Sequence, residues 1–269
     1  GLGWAFGLHE ALDQFGALFG PLLVALVLAR HHEYRTAFAV LLLPALIMLA
    51  LLGVARVLYP RPEDMESHPP KGGRKRLPRR FWIYLGGAAL VAAGFADFPL
   101  IAYHFQKAGT VSGSWVPIAY AIAMGVSGVG SLVFGRLFDR FGIKVLIPLT
   151  LLTALYAPLA FLGGFWAGIA GAAVWGLGMG VHESIMPAAV APMVSREGRA
   201  SAYGLFTGIY GLSWFLGSAL IGVLYDRSIN VTVVVCLALV LGAVPLFFAV
   251  RQAHIRAEEW EVSLAGSSK

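Results

Sequence analysis

The chain has 269 residues, of which 58% are hydrophobic and only 13% are charged, and its mean hydropathy is +0.77. Soluble domains carry roughly 25% charged residues, so this composition excludes a soluble enzyme and an intrinsically disordered chain. The single cysteine, Cys236, excludes an internal disulfide and a cysteine-based metal cluster.

Apolar stretches long enough to cross a membrane follow one another along the chain. A bilayer-spanning helix needs about 20 apolar residues. Eight helices of a soluble protein joined by such short connections would leave nothing to face water, which disfavours that alternative. We therefore predict an all-α, polytopic membrane protein with eight transmembrane helices. They cover residues 3–29, 36–58, 82–105, 115–135, 143–163, 166–193, 201–224 and 230–250.

One connection differs from the others. Residues 59–80, YPRPEDMESHPPKGGRKRLPRR, are rich in proline and charge and predict an exposed linker after the second helix. If the loops are assigned alternately to the two sides of the membrane, 16 of the 20 Lys and Arg residues fall on one side. The positive-inside rule then predicts a cell-membrane protein with the linker and C-terminus in the cytoplasm. The net charge of +6 is thereby explained without nucleic acid as a partner.

The first and seventh predicted helices resemble each other in sequence. AFGLHEALDQFGALFGPLL, from Ala5 to Leu23, aligns with AYGLFTGIYGLSWFLGSAL, from Ala202 to Leu220. Both helices are predicted to run in the same direction, so this alignment indicates a parallel repeat. Two equivalent halves are typical of transporters in which one bundle moves against the other. Chance similarity between apolar helices is the alternative.

Ionisable side chains inside membrane helices are costly and usually functional. Three of the predicted helices contain them, and the candidates for proton coupling are His9, Glu10, Asp13, Asp97, His182 and Glu183. At about 1.5 Å rise per residue, Asp13 and Glu183 lie at a similar depth of roughly 15 Å.

These groups can act in more than one way. Buried carboxylates hold protons more readily unless they are paired, and histidine titrates near neutrality, so the cluster suits proton-coupled transport. A static clasp between helices and a substrate site are the alternatives. Asp97 is either a site for a proton or a cationic substrate, or the cap of a helix broken at Pro99. The sequence contains neither H-E-x-x-H nor G-x-S-x-G, so we expect no enzyme, no metal and no cofactor.

A polar loop between the fourth and fifth predicted helices carries a recognisable motif. The segment GRLFDRFGIK, residues 135–144, resembles the signature G-x-L-x-D-R-x-G-x-K/R of the major facilitator superfamily, with Ile143 in place of a usual basic residue. The resemblance implies a cytoplasmic latch between two halves, with Asp139 near the start of the first helix. Its residues are Gly135, Arg136, Leu137, Asp139, Arg140, Gly142 and Lys144.

The first helix carries a second pattern, G-x8-G-x3-G-P. It resembles the fifth-helix motif of the antiporters in that superfamily, although Val24 and Ala25 replace its trailing glycines. Simple helix packing with a proline kink is the alternative function. The residues are Gly7, Gly16, Gly20 and Pro21.

The resemblance to this superfamily covers the whole chain and implies a bundle of six plus six helices. Residues 1–58 would be the last two helices of the N-terminal half, 59–80 the linker, 81–252 the C-terminal half and 253–269 a cytoplasmic tail. The first helix would then meet the sixth, so that His9 and Asp13, or Glu10, face His182 and Glu183.

The function implied is proton-coupled export of a small molecule by alternating access. Uptake of a metabolite with protons, and a sensor or scaffold on the same fold, are the alternatives. The expected partners are the small molecule, protons, the lipid bilayer and the first four helices of the bundle, which this sequence, beginning at Gly1, does not contain.

Overall fold

The computed structural model describes residues 1–31, 34–61, 76–112 and 115–267. Most of the predicted linker, residues 62–75, therefore lies outside the described residues, as does the end of the predicted tail, residues 268–269. Within the described part the chain is helical and contains no strand, which confirms the all-α class.

The described residues form eleven α-helices. Several are short because a break divides a membrane-length segment into two helices. They are α1 Leu2–His31, α2 Tyr34–Leu58, α3 Arg79–Ala93, α4 Phe98–Ala108, α5 Val116–Phe141, α6 Leu146–Thr153, α7 Tyr156–Leu162, α8 Phe165–Gly180, α9 Met186–Ala188, α10 Arg199–Arg227 and α11 Ile229–Ser267.

Fewer stretches than predicted meet the length and hydropathy that a membrane crossing requires. Among the described residues there are six: Phe38–Leu58, Arg79–Ala108, Val116–Leu162, Phe165–Met193, Arg196–Arg227 and Ile229–Gln252. The prediction of eight is corrected on this point, and the polytopic class is confirmed. The fourth and fifth predicted crossings both lie within one of these stretches, Val116–Leu162, because α5, the 3₁₀ turn Gly142–Val145, α6 and α7 follow one another closely. Its 47 residues are enough for two crossings of about 20 residues each. α1, with 30 residues, is not among the six.

The third predicted crossing is interrupted at Gly94–Asp97, between α3 and α4. Side chains from other helices satisfy the backbone groups freed by this break. The Tyr156 hydroxyl donates to the carbonyl of Gly94 at 2.8 Å and accepts from the N–H of Ala96 at 2.7 Å. The indole N–H of Trp175 donates to the carbonyl of Ala96 at 2.8 Å. The break is therefore a built feature of the buried core and not a frayed helix end.

The core consists of two clusters of buried apolar residues. One surrounds Tyr84, whose hydroxyl donates to the carbonyl of Met186 at 2.6 Å, and whose ring packs against Phe206 and Phe247. The other surrounds the helix break and includes Phe95 and Trp175. Since membrane lipid does not drive apolar side chains together, such packing and buried hydrogen bonds are what hold these helices against one another.

The helices contact one another in two main groups. α1 packs along α5, and α3 packs against α10 and α11. α5 also contacts α8, where Gly176 lies so close to Ala123 that an added Cβ would overlap the Ala123 carbonyl. α5 thus packs both against the core of residues 79–252 and against α1.

Gly176→Ala should destabilise the protein because its methyl group has no room between α5 and α8. Overpacking typically costs about 1–3 kcal/mol, and we expect a lower thermal unfolding midpoint in detergent. Gly125→Ala on α5 is the matched control, since a Cβ there meets no atom within 4 Å and alanine favours helix. Equal midpoints for the two variants would contradict this account of the contact.

Candidate functional site

The contact between α1 and α5 is made by small residues. An added Cβ on Gly3 would overlap the carbonyl of Gly135, and one on Gly7 would overlap the carbonyl of Ser131. The Ser131 hydroxyl donates to the carbonyl of Gly7 at 3.1 Å. Without Cβ atoms the two backbones touch directly, which fixes the rotation of α1 and therefore which of its side chains face inward.

Three polar side chains meet where α1 passes the segment after α8. The amide nitrogen of Gln14 donates to a carboxylate oxygen of Glu10, one turn earlier, and to a carboxylate oxygen of Glu183 at 3.4 Å. Glu10 and Gln14 are buried, at 3% and 7% exposure, whereas Glu183 keeps an exposed surface. We call these three residues the central acid group. The sequence predicted that either His9 and Asp13 or Glu10 would face Glu183. In the structure it is Glu10 that joins Glu183, through Gln14.

His9 and Asp13 do not take part in this group. Their side chains are 78% and 65% exposed and lie 3.4 Å apart as a pair within α1. The physical reason is the rotation imposed by Gly3 and Gly7, which turns the stripe containing Glu10 and Gln14 toward α5. In the described residues His9 and Asp13 pair with each other, and the alternative in which they face Glu183 stays a prediction.

His182 points away from Glu183, into the core of the second part of the chain. Its ring is 3% exposed, and its centroid lies 4.3 Å from that of Phe95, 6.2 Å from Tyr210 and 6.5 Å from Trp214. Both ring nitrogens are buried without a hydrogen-bond partner in the described residues, and so are the Tyr210 hydroxyl and the Trp214 N–H. We call His182, Tyr210 and Trp214 the histidine–aromatic cluster.

A π-helical turn carries both His182 and Glu183. Residues Val181–Ile185 form it between α8 and α9, and Pro187 is the second residue after it. Adjacent residues of a helix do not share a face, so His182 and Glu183 can contact different helices. π-turns inside α-helices are frequently found at functional sites.

Asp97 lies at the N-cap position of α4, directly after the helix break, with an extended backbone and no side-chain capping hydrogen bond. The structure does not bring it within hydrogen-bond distance of Glu10, Gln14 or Glu183 in the described part of the chain. Asp97 was predicted to be either a proton or substrate site or the cap of a broken helix. Its position at the start of α4 agrees with the second alternative. The expected capping hydrogen bond is not formed, however, and the helix breaks before Pro99.

At the start of α1 the 135–144 segment, which we call the latch segment, contacts the helix end. Asp139 accepts hydrogen bonds from the N–H groups of Gly3 and Trp4, one on each carboxylate oxygen and each at 2.8 Å. The Arg136 guanidinium lies 3.9 Å from the centre of the Trp4 ring. A carboxylate at a helix N-terminus satisfies free N–H groups and is favoured by the helix dipole.

The other residues of the latch segment form the turn after α5 or contact neighbouring side chains. Gly142 has a φ of 63°, a conformation that favours glycine, and an added Cβ on Gly135 would overlap the Gly3 carbonyl. Leu137 packs against the core, the Arg140 guanidinium lies 5.1 Å from the Phe141 ring centre, and Lys144 is exposed.

The glycine–proline pattern of α1 is only partly at a helix contact. Gly7 touches α5, but a Cβ on Gly16 or Gly20 would meet no atom within 4 Å. Pro21 lies inside α1, and its side chain is outside the described part of the structure. Close packing at Gly16 and Gly20 is thus not seen among the described residues.

Three contributors are not among the predicted site residues. Gln14 links the two carboxylates, Trp4 pairs with Arg136, and Tyr210 belongs to the histidine–aromatic cluster. The spacing of Glu10 and Gln14, four residues apart, was a usable signal for the first. Nothing local in the sequence indicates the other two, because their partners are distant in the chain.

The sequence matches the model of the Major Facilitator Superfamily over residues 2–162 and again over residues 96–264. The chain belongs to this superfamily. Similar proteins include uncharacterized proteins of Mycobacterium tuberculosis and Mycobacterium bovis, each 40% identical over 258 residues. The match covers 93% of this chain and 63% of each relative, so the chain spans just under two thirds of the relatives' length.

Asp139→Ala should loosen the contact between the latch segment and α1, because two N–H groups lose their acceptors. Loss of a helix-capping side chain costs about 0.5–2 kcal/mol. In the full-length protein, a cysteine introduced at Phe138, which is 8% exposed, should react several-fold faster with a maleimide. Asp226→Ala, near the far end of α10, is the control; the same rate increase in both variants would argue against the latch contact.

Proposed function

We propose that the full-length protein is a secondary transporter that moves a small molecule by alternating access and couples its movement to protons, in the direction of export. Residues 1–58 would belong to one six-helix half, residues 81–252 to the other, and residues 59–80 would join them. The observation that carries this proposal is the central acid group, because it joins a carboxylate of α1 to a carboxylate from the other half.

Two ionised carboxylates held by one amide repel each other, and one bound proton removes the repulsion. Gln14 offers two N–H groups, one for Glu10 and one for Glu183. When the halves separate, each carboxylate gains water and the reason to share a proton disappears. The group therefore suits a proton that is held in one conformation and released in the other.

The histidine–aromatic cluster supports a binding site for the transported molecule. Buried polar atoms without partners are costly, at about 1–3 kcal/mol each, and usually have a functional reason. His182, Tyr210 and Trp214 each carry at least one such atom within the described residues. A small molecule with donors, acceptors and an apolar ring would satisfy them.

The latch contact supports the alternating movement. Asp139 accepts hydrogen bonds from the N–H groups of Gly3 and Trp4 on α1, so this contact can form when that end of the bundle is closed and break when it opens. The excess of Lys and Arg on this side favours the cytoplasm as the compartment it faces, in a cell membrane. The export direction depends on the resemblance of the α1 glycine–proline pattern to antiporters.

Glu10→Gln and Glu183→Gln should each remove proton binding by the full-length protein. Infrared difference spectra between neutral and alkaline buffer, a range in which solvent-exposed carboxyl groups are already ionised, would show a protonated-carboxyl band in the parent protein that both variants lose. Asp13→Asn, at an exposed position one turn from Glu10, is the control and should keep the band.

In vesicles, a panel of small molecules would be tested for proton movement driven by their addition. We expect active compounds to move protons with the parent protein and Asp13→Asn but not with either glutamine variant. If the central acid group is a static clasp instead, both glutamine variants lower the unfolding temperature and no titratable band is present in the parent protein.

A further inference from the structure

A cavity of about 420 Å³ lies beside the latch segment. Its size is within the range of about 300–1,000 Å³ typical of small-ligand sites. Its walls come from five parts of the chain, including Leu2 of α1. The lining residues are Leu2, Arg80, Phe138, Asp139, Phe141, Gly142, Ile143, Lys144, Ala189, Pro192, Met193, Val250 and Arg251.

The charge of this lining is unbalanced. Three residues are cationic, Arg80, Lys144 and Arg251, and a single carboxylate, Asp139, lies among them. Each Asp139 oxygen already accepts an N–H group from α1. The cavity therefore offers a net positive field to whatever occupies it.

The two arginines differ in how their donors are used. Arg80 donates to the carbonyls of Met193 at 3.2 Å and Pro192 at 3.3 Å, which holds its guanidinium against the wall. The Nε of Arg251, by contrast, is buried and has no hydrogen-bond partner in the described residues. A buried donor of a charged group without an acceptor is costly, and an anionic oxygen in the cavity would satisfy it.

The remaining walls are apolar and include Phe138, Met193 and Val250, all less than a tenth exposed. A site with a cationic side and an apolar side suits a ligand with both characters. Guanidinium groups bind phosphate with paired, charge-assisted hydrogen bonds. Basic pockets between membrane helices are known to take phosphate head groups.

We propose that this cavity binds the phosphate group of an anionic ligand. Arg251 and Lys144 contact the phosphate, and Arg80 contributes a fixed positive charge. A phospholipid head group and a soluble phosphate ester share this chemistry. Because Leu2 and the latch segment both line the cavity, the ligand binds the state in which α1 meets Asp139 and favours that state over the open one.

The test uses the full-length protein, purified and stripped of lipid, with the thermal unfolding midpoint as the readout. The probes are phosphatidylglycerol, phosphatidylcholine with the same acyl chains, and glycerol 3-phosphate. A ligand that binds only the folded state raises the midpoint in a concentration-dependent manner. The proposal requires that phosphatidylglycerol or glycerol 3-phosphate does so and that phosphatidylcholine does not.

The variant that tests the site is Arg251→Gln combined with Lys144→Gln. Losing charge-assisted hydrogen bonds of about 1.5–3 kcal/mol corresponds to a loss in apparent affinity of about tenfold or more. Arg196→Gln, which removes a positive charge from an exposed position outside the cavity lining, is the matched control and should bind like the parent. Arg251→Lys, which keeps the charge but lacks Nε, should fall between them and serves if the double variant does not fold.

The outcomes of this test distinguish a soluble phosphate ester from a phospholipid as the ligand. Stabilisation by glycerol 3-phosphate with the same dependence on Arg251 assigns the site to a soluble phosphate ester, and stabilisation by phosphatidylglycerol alone assigns it to a lipid. Equal stabilisation by phosphatidylcholine, no stabilisation by either phosphate probe, or an Arg251 variant that binds as tightly as Arg196→Gln would overturn the proposal.

Discussion

The close approach of α1 to α5 determines most of what lies around it. Where Gly3 and Gly7 meet Gly135 and Ser131, no side chain separates the two backbones. This contact fixes both the height and the rotation of α1. Its start is held under Asp139, and the stripe bearing Glu10 and Gln14 is turned toward Glu183. A bulkier residue at either glycine would move the latch contact and the central acid group together.

Departures from regular α-helix position the rest of the polar chemistry. The break at Gly94–Asp97 is stabilised by Tyr156 and Trp175. The π-turn at Val181–Ile185 carries both His182 and Glu183. In a membrane interior, backbone groups freed by such departures must find partners within the protein. The presence of such departures agrees with a part of the molecule that binds or moves and does not only support the fold.

Periodicity and composition predicted the helical, membrane-embedded class because the apolar stretches are long and the charges sparse. The motif at 135–144 predicted that Asp139 lies near the start of the first helix, and the structure has it there. The number of separate apolar stretches could not be predicted, since the polar residues between two predicted crossings stay helical and join them in Val116–Leu162. Which face of α1 points inward also could not be predicted, because both candidate stripes carry ionisable groups. Only the contact with α5, distant in sequence, decides between them.

A contact made of backbone atoms has a mechanical consequence. Where side chains interlock, two helices can separate only if rotamers change, and the core around them must adjust. Near Gly3 and Gly7 the surfaces of α1 and α5 meet through backbone atoms, so few side chains have to change rotamer when the two helices part. Displacement of α1 relative to α5 would then resemble rigid-body motion about an interface, with little internal rearrangement to slow it.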